Sequence, residues 1–343
     1  MHFDIPGKTF LVGEYLAMKT GQALVVTTAP GFSVDIEILK ANQEFGAKDS
    51  SISKFESGSD NQFLHLLSSP QSPAALLFKS EPEFILQKFD FKNHLGLGGF
   101  GASTAEFLAV YWAIQTLKSR IKENGGPGGS AEIIFKKLQN ICNIISFRKN
   151  HSLTNSTQDL LTSYWDWAWA KKGQRPSGLD LLAQAAGGVC SFADWTLKTS
   201  QPWPFKELDF LLVPTGQKLA THEHLQSAQD FSTTALAAIF LRAEQAFLVK
   251  DERGFLQAVA DYSAQLEKQK WITPFSANLL TQIRSSAGQQ AGIRGSKACG
   301  AMGADVLLLL IDKSKKSQVK DFLKILGLKA VACAADVWPT VKN

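Results

Sequence analysis

Gly96-Leu97-Gly98-Gly99-Phe100-Gly101-Ala102-Ser103-Thr104-Ala105-Glu106, running into an apolar stretch that ends at Leu117, is the segment on which the fold turns. Glycines let backbone amides approach a phosphate with no Cβ in the way. A helix that starts there offers its free N–H groups and the positive end of its dipole to an anion. Ser103 and Glu106 fit Ser-x-x-Glu, the reciprocal capping pair of a helix start. The segment therefore reads as an anion cradle leading into a helix over 103–117. The plainer alternative is a glycine turn that only lets a helix pack closely. The string Gly96-x-Gly98-x-x-Gly101 also matches a dinucleotide fingerprint. That unit wants a strand just before it and an acid at a second strand end about 20 residues on. Lys92-Asn93-His94 is a poor strand end, and Glu123 stands in a loop. No HRD or DFG follows, which excludes a protein-kinase glycine loop.

Upstream, the sequence reads as strands: Thr9–Val12, Ala23–Thr28 before Pro30-Gly31, the alternating Ser33–Leu39, and Phe84–Phe91. Residues 40–62 are polar and read as a hairpin or loop. Downstream, Gly125–Gly129 breaks the chain as a turn. Leu160–Ala170 and Leu179–Ala186 look helical, and Val189–Phe192 looks like a strand. Trp203-Pro204 reads as a linker. A strand at Asp209–Pro214, three helical stretches between about 222 and 290, a glycine-bearing loop at 292–303, the strand Val306–Ile311 and a helix at Ser317–Leu326 complete the chain. Strands first and a helix–strand mixture afterwards favour α+β with two lobes.

With 343 residues, of which 45% are hydrophobic and 20% charged, the chain is long enough for two cored domains. Its net charge of +5 suits an anionic small substrate and is too weak to argue for nucleic acid. Cys142, Cys190, Cys299 and Cys333 lie far apart with no CxxC, which rules out a zinc ribbon or a disulfide framework and favours a reducing compartment. The first residues show no basic-then-apolar signal pattern, and the longest apolar runs are far short of a membrane span. The expectation is a cytoplasmic protein with neither a membrane nor a nucleic-acid partner.

Three further elements carry chemistry. The first is Pro6-Gly7-Lys8-x-x-Leu11-x-Gly13-Glu14-Tyr15; a Walker A motif is excluded there because the leading glycine's place is His2. Alone, Lys8 reads as a surface lysine, and Glu14 and Tyr15 as strand-end packing. The second is Pro176-Ser177-Gly178-Leu179-Asp180, with Asp180 at a helix start, where an acid complements the dipole. The third is Gly295-Ser296-Lys297-Ala298-Cys299-Gly300-Ala301-Met302-Gly303-Ala304-Asp305, small residues that allow close backbone approach. His222-x-His224 lacks a third ligand for a metal site.

In this order, and from about Pro6 to Ile311, the elements resemble the GHMP kinase superfamily, of which galactokinase, homoserine kinase, mevalonate kinase and phosphomevalonate kinase are members. The first is similar to PGKxxLxGE(Y/H), Gly99–Ala105 to GLGSSAA, Pro176–Asp180 to the PSGxD of mevalonate kinases, and the last loop to KxxGAGxGG. The resemblance implies an α+β, two-lobed fold. Residues 1–195 would form an N-terminal ribosomal-protein-S5-like domain that binds ATP and carries the catalytic residues. Residues 196–343 would form a ferredoxin-like α/β domain. It implies ATP and Mg2+ as cofactors and a small-molecule substrate, with either a monomer or a homodimer open.

By the same resemblance, Asp180 would orient or deprotonate the attacking hydroxyl. Lys8 would sit beside it, keep it ionised and neutralise developing charge. Gly98, Gly99, Gly101, Ala102, Ser103 and Thr104 would wrap the ATP phosphates, with Ser103 near Mg2+. Glu14, Tyr15, Ser177, Gly178, Gly300 and Ala301 would line the substrate site, with Thr221 as a further candidate. Cys299, beside the last loop, reads first as a small buried residue, with modification by thiol reagents near the site as the alternative. Three departures stand out. Ala102 replaces the family's first serine. Trp169 stands where mevalonate kinases carry a magnesium-binding Glu, with Asp166 as a possible substitute. Met302 replaces a glycine and should stiffen or crowd the last loop.

Glu14-Tyr15 and Asp305 are more like phosphomevalonate kinases, whereas Pro176–Asp180 is more like mevalonate kinases. The balance leans to phosphorylation of 5-phosphomevalonate, with mevalonate as the alternative acceptor. A phosphorylated acceptor would need a basic clamp, for which Arg148, Lys149 and Arg175 are candidates. Lys8 speaks against a decarboxylase of the same group, and no sugar-binding signature favours galactokinase. Two other classes remain in view, a non-catalytic ligand-sensing relative and a dinucleotide-dependent oxidoreductase.

Overall fold

A computed structural model describes residues 1–40, 66–96, 98–123, 153–217 and 233–340. Leu97, the turn at 125–129, Cys142, Arg148, Lys149, Thr221, His222, His224 and nearly all of the polar stretch 40–62 lie outside them.

The first lobe is an antiparallel sheet built on β1 (His2–Val12) and β2 (Ala23–Lys40). The two strands expected at 23–28 and 33–39 are one, because both halves of β2 pair continuously with β1. The pairing skips Pro6 opposite residues 29–31, a bulge where proline has no N–H to give the ladder. Beyond the bulge β2 also pairs with β3 (Phe84–Asn93), and before it with β4 (Val189–Ala193), which continues into β5 (Thr196–Gln201). Strand β3 runs through Lys92 and Asn93, so the segment dismissed as a poor strand end is a strand. What removes the dinucleotide-fold reading is that every pairing in this sheet is antiparallel.

Helices α1 (Glu14–Lys19), α2 (Pro73–Lys79), α3 (Ala102–Glu123), α4 (Leu153–Ala168) and α5 (Leu179–Ala186) complete this lobe; α3 and α5 pack on β1 and β2, and α2 packs on α3 and α4. Helix α3 buries Ala105, Phe107, Leu108, Ala109, Val110, Ala113 and Ile114. Its start corrects the capping reading. The helix begins at Ala102, which puts Ser103 inside it, and the Glu106 carboxylate instead accepts bonds from the Ser68 backbone N–H (2.6 Å) and hydroxyl (2.7 Å).

The second lobe is an antiparallel sheet in the order β7 (Ile293–Cys299), β8 (Val306–Asp312), β6 (Leu208–Pro214), β9 (Ala332–Cys333). Helices α6 (Thr234–Leu248) and α7 (Glu252–Lys268) share a core with Phe210, Leu308 and Leu310. Helices α8 (Pro274–Ile283) and α10 (Lys316–Ile325) pack on Leu307, Leu309 and Ile311, and α9 (Ser286–Ala291) lies between them in sequence. Burial on both faces explains why β8 is one unbroken apolar run. Part of the loop expected at 292–303 is strand β7, whose small residues pair with β8.

The domain boundary expected after residue 195 cuts the β4–β5 hairpin; the two sheets divide between Gln201 and Leu208. After β9 the chain returns to the first lobe, where the Trp338 N–H bonds the Thr27 carbonyl and the Gly188 N–H bonds the Trp338 carbonyl (both 2.9 Å). The expected linker is packed: the Trp203 indole stacks edge-on against Phe210 at 4.8 Å and donates to the Leu208 carbonyl at 2.8 Å. No helix among the described residues is long and apolar enough to cross a membrane.

Candidate active site

The bulged strand β1 carries Lys8 to the end of α5, whose first turn carries Asp180. Lys8 Nζ lies 3.6 Å from Asp180 Oδ2, and the two side chains are 15% and 23% exposed, so the pair is half-sheltered yet open to a ligand. The glycine loop closes over the lysine. The Lys8 N–H donates to the Phe100 carbonyl at 3.0 Å, and a Cβ on Gly101 would meet the Lys8 side chain at 3.0 Å. Gly101 has φ +90 and Gly99 φ +91, a region that favours glycine. A Cβ on Gly99 would come within 2.5 Å of the Asp305 Cβ, so the loop of the first lobe abuts the last loop of the second. Lys8, Thr9, Phe10, Gly99, Cys299, Gly300 and Val306 line the cleft between them.

The remaining expected residues divide. Gly98 and Ser103 are exposed, and Ala102 is half-buried at the first residue of α3. Thr104 is buried and turned inward, its hydroxyl donating to Gln184 Oε1 at 2.6 Å. Ser177 Oγ accepts the Leu179 N–H at 3.4 Å, and Gly178, at φ +69, lies against Leu161 of α4. Gly300 and Ala301 lead into a short 3-10 turn.

Glu14 and Tyr15 face the second lobe. Glu14 accepts a hydrogen bond from Lys297, and Tyr15 is buried, with its ring 4.4 Å from that of Trp271. Their groups are taken up by the lobe interface and present no free polar edge of the kind expected of substrate ligands, apart from Glu14 Oε2, which is buried and unpartnered. Burial, more than the nearby Glu14, pushes the Tyr15 hydroxyl above its usual range. Cys299 is buried and its thiol is pushed up to about 11, chiefly by burial, so it is poorly suited to react with thiol reagents.

Of the three departures, Met302 sits at φ +52, the left-handed region glycine would fill without strain, and its sulfur lies 3.9 Å from the Tyr15 hydroxyl. Trp169 donates to the Lys172 carbonyl at 3.2 Å, and Asp166 is exposed. Arg175 stacks on Trp165 at 3.7 Å from the ring centre.

Sequence reasoning missed two residues. Gln184 stands one helical turn after Asp180, a single polar residue inside Leu-Leu-Ala-Gln-Ala-Ala, and that isolation was the signal available. Lys297 lay inside a quoted motif, but nothing local marks it as fully buried.

No family model and no curated protein sequence matches the chain. Solved structures do. The Methanococcus jannaschii mevalonate kinase superposes with a TM-score of 0.64 at 14% identity, covering 100% of this chain and 98% of its own. The Streptococcus pneumoniae phosphomevalonate kinase gives 0.63 at 17% identity, covering 97% and 98%. Lactococcus lactis galactokinase in complex with galactose gives 0.58 at 15%, covering 100% and 94%. The chain has the GHMP kinase fold. That full-length GHMP fold is two-lobed α+β, and it brings Lys8, Asp180, the glycine loop and the last loop to one side of the lobe junction.

Proposed function

We propose that this chain is an ATP-dependent kinase for a small molecule of the mevalonate route, transferring the γ-phosphoryl group to 5-phosphomevalonate to give 5-diphosphomevalonate. The observation that carries the reading is the Lys8–Asp180 pair, 3.6 Å apart beside a glycine loop that opens helix α3. In such a transfer the acceptor oxygen attacks the γ-phosphorus while the bond to the β-bridging oxygen breaks and ADP leaves, so the protein's work is positioning and charge stabilisation. Asp180 accepts the acceptor's proton where it has one and otherwise orients the oxygen. The Lys8 ammonium sits over charge developing on the γ-oxygens. The N–H groups of the loop and of the first turn of α3 face the β-phosphate end of the nucleotide.

Among the described residues no cluster of three or more His, Cys, Asp or Glu could hold a metal. A magnesium ion arriving with the nucleotide would need only one or two protein oxygens beside phosphates and water. The exposed Ser103 hydroxyl would supply one of them. When bound, the ion would neutralise charge on the β- and γ-phosphates.

A second acceptor, mevalonate itself, is favoured by Pro176–Asp180. Incubating the purified protein with magnesium and ATP against mevalonate and against 5-phosphomevalonate, and following ADP release, separates the two. Turnover with neither would remove the reading. A non-catalytic relative would bind AMPPNP and still release no ADP.

A further inference from the structure

Gln184 is 2% exposed, and every hydrogen-bonding atom of its side chain is engaged. Its Nε2 donates to the Pro6 carbonyl at 2.8 Å and to the Gly101 carbonyl at 3.2 Å, and its Oε1 accepts from the Thr104 hydroxyl at 2.6 Å. The orientation of the amide follows from the two carbonyls, which can only accept; the Thr104 hydroxyl, also 3.0 Å from the Gly101 carbonyl, lies closer to Oε1. Pro6 is in the bulge two residues before Lys8. Gly101 ends the glycine loop, Thr104 is in the first turn of α3, and Gln184 shares a helix face with Asp180 one turn away. One side chain thus ties the strand of the lysine, the phosphate loop, the helix start and the helix of the aspartate. The pairing of β1 with β2 breaks here, between Ile5 and Gly7, and the backbone bond from the Lys8 N–H to the Phe100 carbonyl ties only the strand and the loop, not the helix of the aspartate.

From this juxtaposition we infer that Gln184 is a positioning residue, which holds the glycine loop at a fixed height over Lys8 and Asp180. It touches no substrate; it acts through Gly101 and Pro6. The inference rests on the kinase reading above. Without the amide, the buried Pro6 carbonyl loses its side-chain donor and, among the described residues, the Gly101 carbonyl keeps only the Ala105 N–H and the Thr104 hydroxyl, so the loop end is held to the strand by the Lys8 N–H bond to Phe100 alone. A displacement of an ångström at a phosphate site is costly, because transfer depends on alignment of the γ-phosphorus.

The test is Gln184→Met, which keeps length and burial but cannot bond. Calorimetric affinity for AMPPNP, the KM for ATP, the KM for the acceptor, kcat and the thermal midpoint are read together. The expected result is AMPPNP affinity and ATP KM both worse by about tenfold, kcat lower by about tenfold, and acceptor KM within about twofold. A role confined to stability would shrink the active fraction, lowering apparent kcat and the thermal midpoint while leaving both KM values and the AMPPNP affinity in place. That pattern overturns the inference. If Gln184→Met does not fold, Thr104→Val, which removes the donor to Oε1 and the hydroxyl's 3.0 Å contact with the Gly101 carbonyl, is read the same way. A rise of about threefold or more in the AMPPNP dissociation constant, reversed in Thr104→Ser, supports the inference, and no rise refutes it. Wild-type protein that binds no AMPPNP at all would sink the kinase reading. Wild-type binding matched by the variants sinks only the role of Gln184.

Discussion

Lys297, a fully buried lysine on β7, donates its ammonium hydrogen bond to Glu14 at the start of α1, so an ion pair removed from water joins the second lobe to the first. The Lys297 side chain is 0% exposed and that of Glu14 9%. Burial works against the lysine's charge, but the Cys299 sulfur and the Glu14 carboxylate outweigh it and raise its pKa above the usual value. A raised lysine pKa contributes stability fully present below the unfolded value, about 10.4, and lost only as pH climbs through the higher folded value. Removing one partner strands the other. Lys297→Met should therefore cost about 3–5 kcal/mol in urea unfolding, constant from about pH 6 to 9, and Glu14→Gln/Lys297→Met should recover part of that loss. A single-variant loss under about 1 kcal/mol would show that the pair is not what holds the lobes together.

Lys8 and Asp180 carry a different expectation, because both are partly open and neither closes a core. Lys8→Met and Asp180→Asn should each lower kcat by about 10³-fold or more while circular dichroism and the thermal midpoint stay near wild type. Measuring ADP release at saturating ATP with each acceptor checks this. Activity within about tenfold of wild type in either variant would remove that residue from its assigned role.

The contrast between these pairs shows what the sequence could and could not reveal. That Lys8 and Asp180 come together was legible only from the joint order of the motifs and the resemblance they carry, since alone the one reads as a surface lysine and the other as a partner of a helix dipole. The half-buried strand was legible from Ser33–Leu39, whose alternation marks one buried face. Three things were hidden. The union of two predicted strands into β2 depends on pairing with β1 on both sides of the bulge, a long-range fact that Pro30-Gly31 disguises as a break. The capping pair failed because Glu106 found Ser68, far away in sequence, and a helix start is decided by such tertiary partners as well as by spacing. The interface roles of Glu14 and Tyr15 were masked because the partners, Lys297 and Trp271, belong to the other lobe.

Ser103 lies exposed in the first turn of α3, where it supports no buried bond. Ser103→Ala should leave the thermal midpoint within about 1 °C and, on the proposed role of the hydroxyl toward the nucleotide, raise the KM for magnesium-ATP by about tenfold or more. Titrating magnesium at fixed ATP separates the two contributions: the variant should need more of the ion for half-maximal rate. Unchanged KM and kcat would place the phosphates elsewhere along the loop.

At the far edge of the first sheet, His2 Nδ1 lies 2.8 Å from Asp35 Oδ1 on the paired strand, and Nε2 lies 3.3 Å from Asp4. The hydrogen bond to Asp35 is the main cause that raises the His2 pKa above 6.5, with Asp4 adding to it and slight burial opposing. The same bond is the main cause that lowers the Asp35 pKa below 3.8. The signs then set a window. The histidine's contribution is complete below 6.5 and fades as pH rises through its higher folded value; the aspartate's is complete above 3.8 and fades as pH falls through its lower one. The pair is therefore at full strength between those two values and absent in alkaline solution. Both side chains are largely exposed, so the effect is small. His2→Gln should lower the thermal midpoint by about 1–2 °C near pH 5.5 and by less than that near pH 8.5, and an equal shift at both would mean that the imidazolium is not held by Asp35.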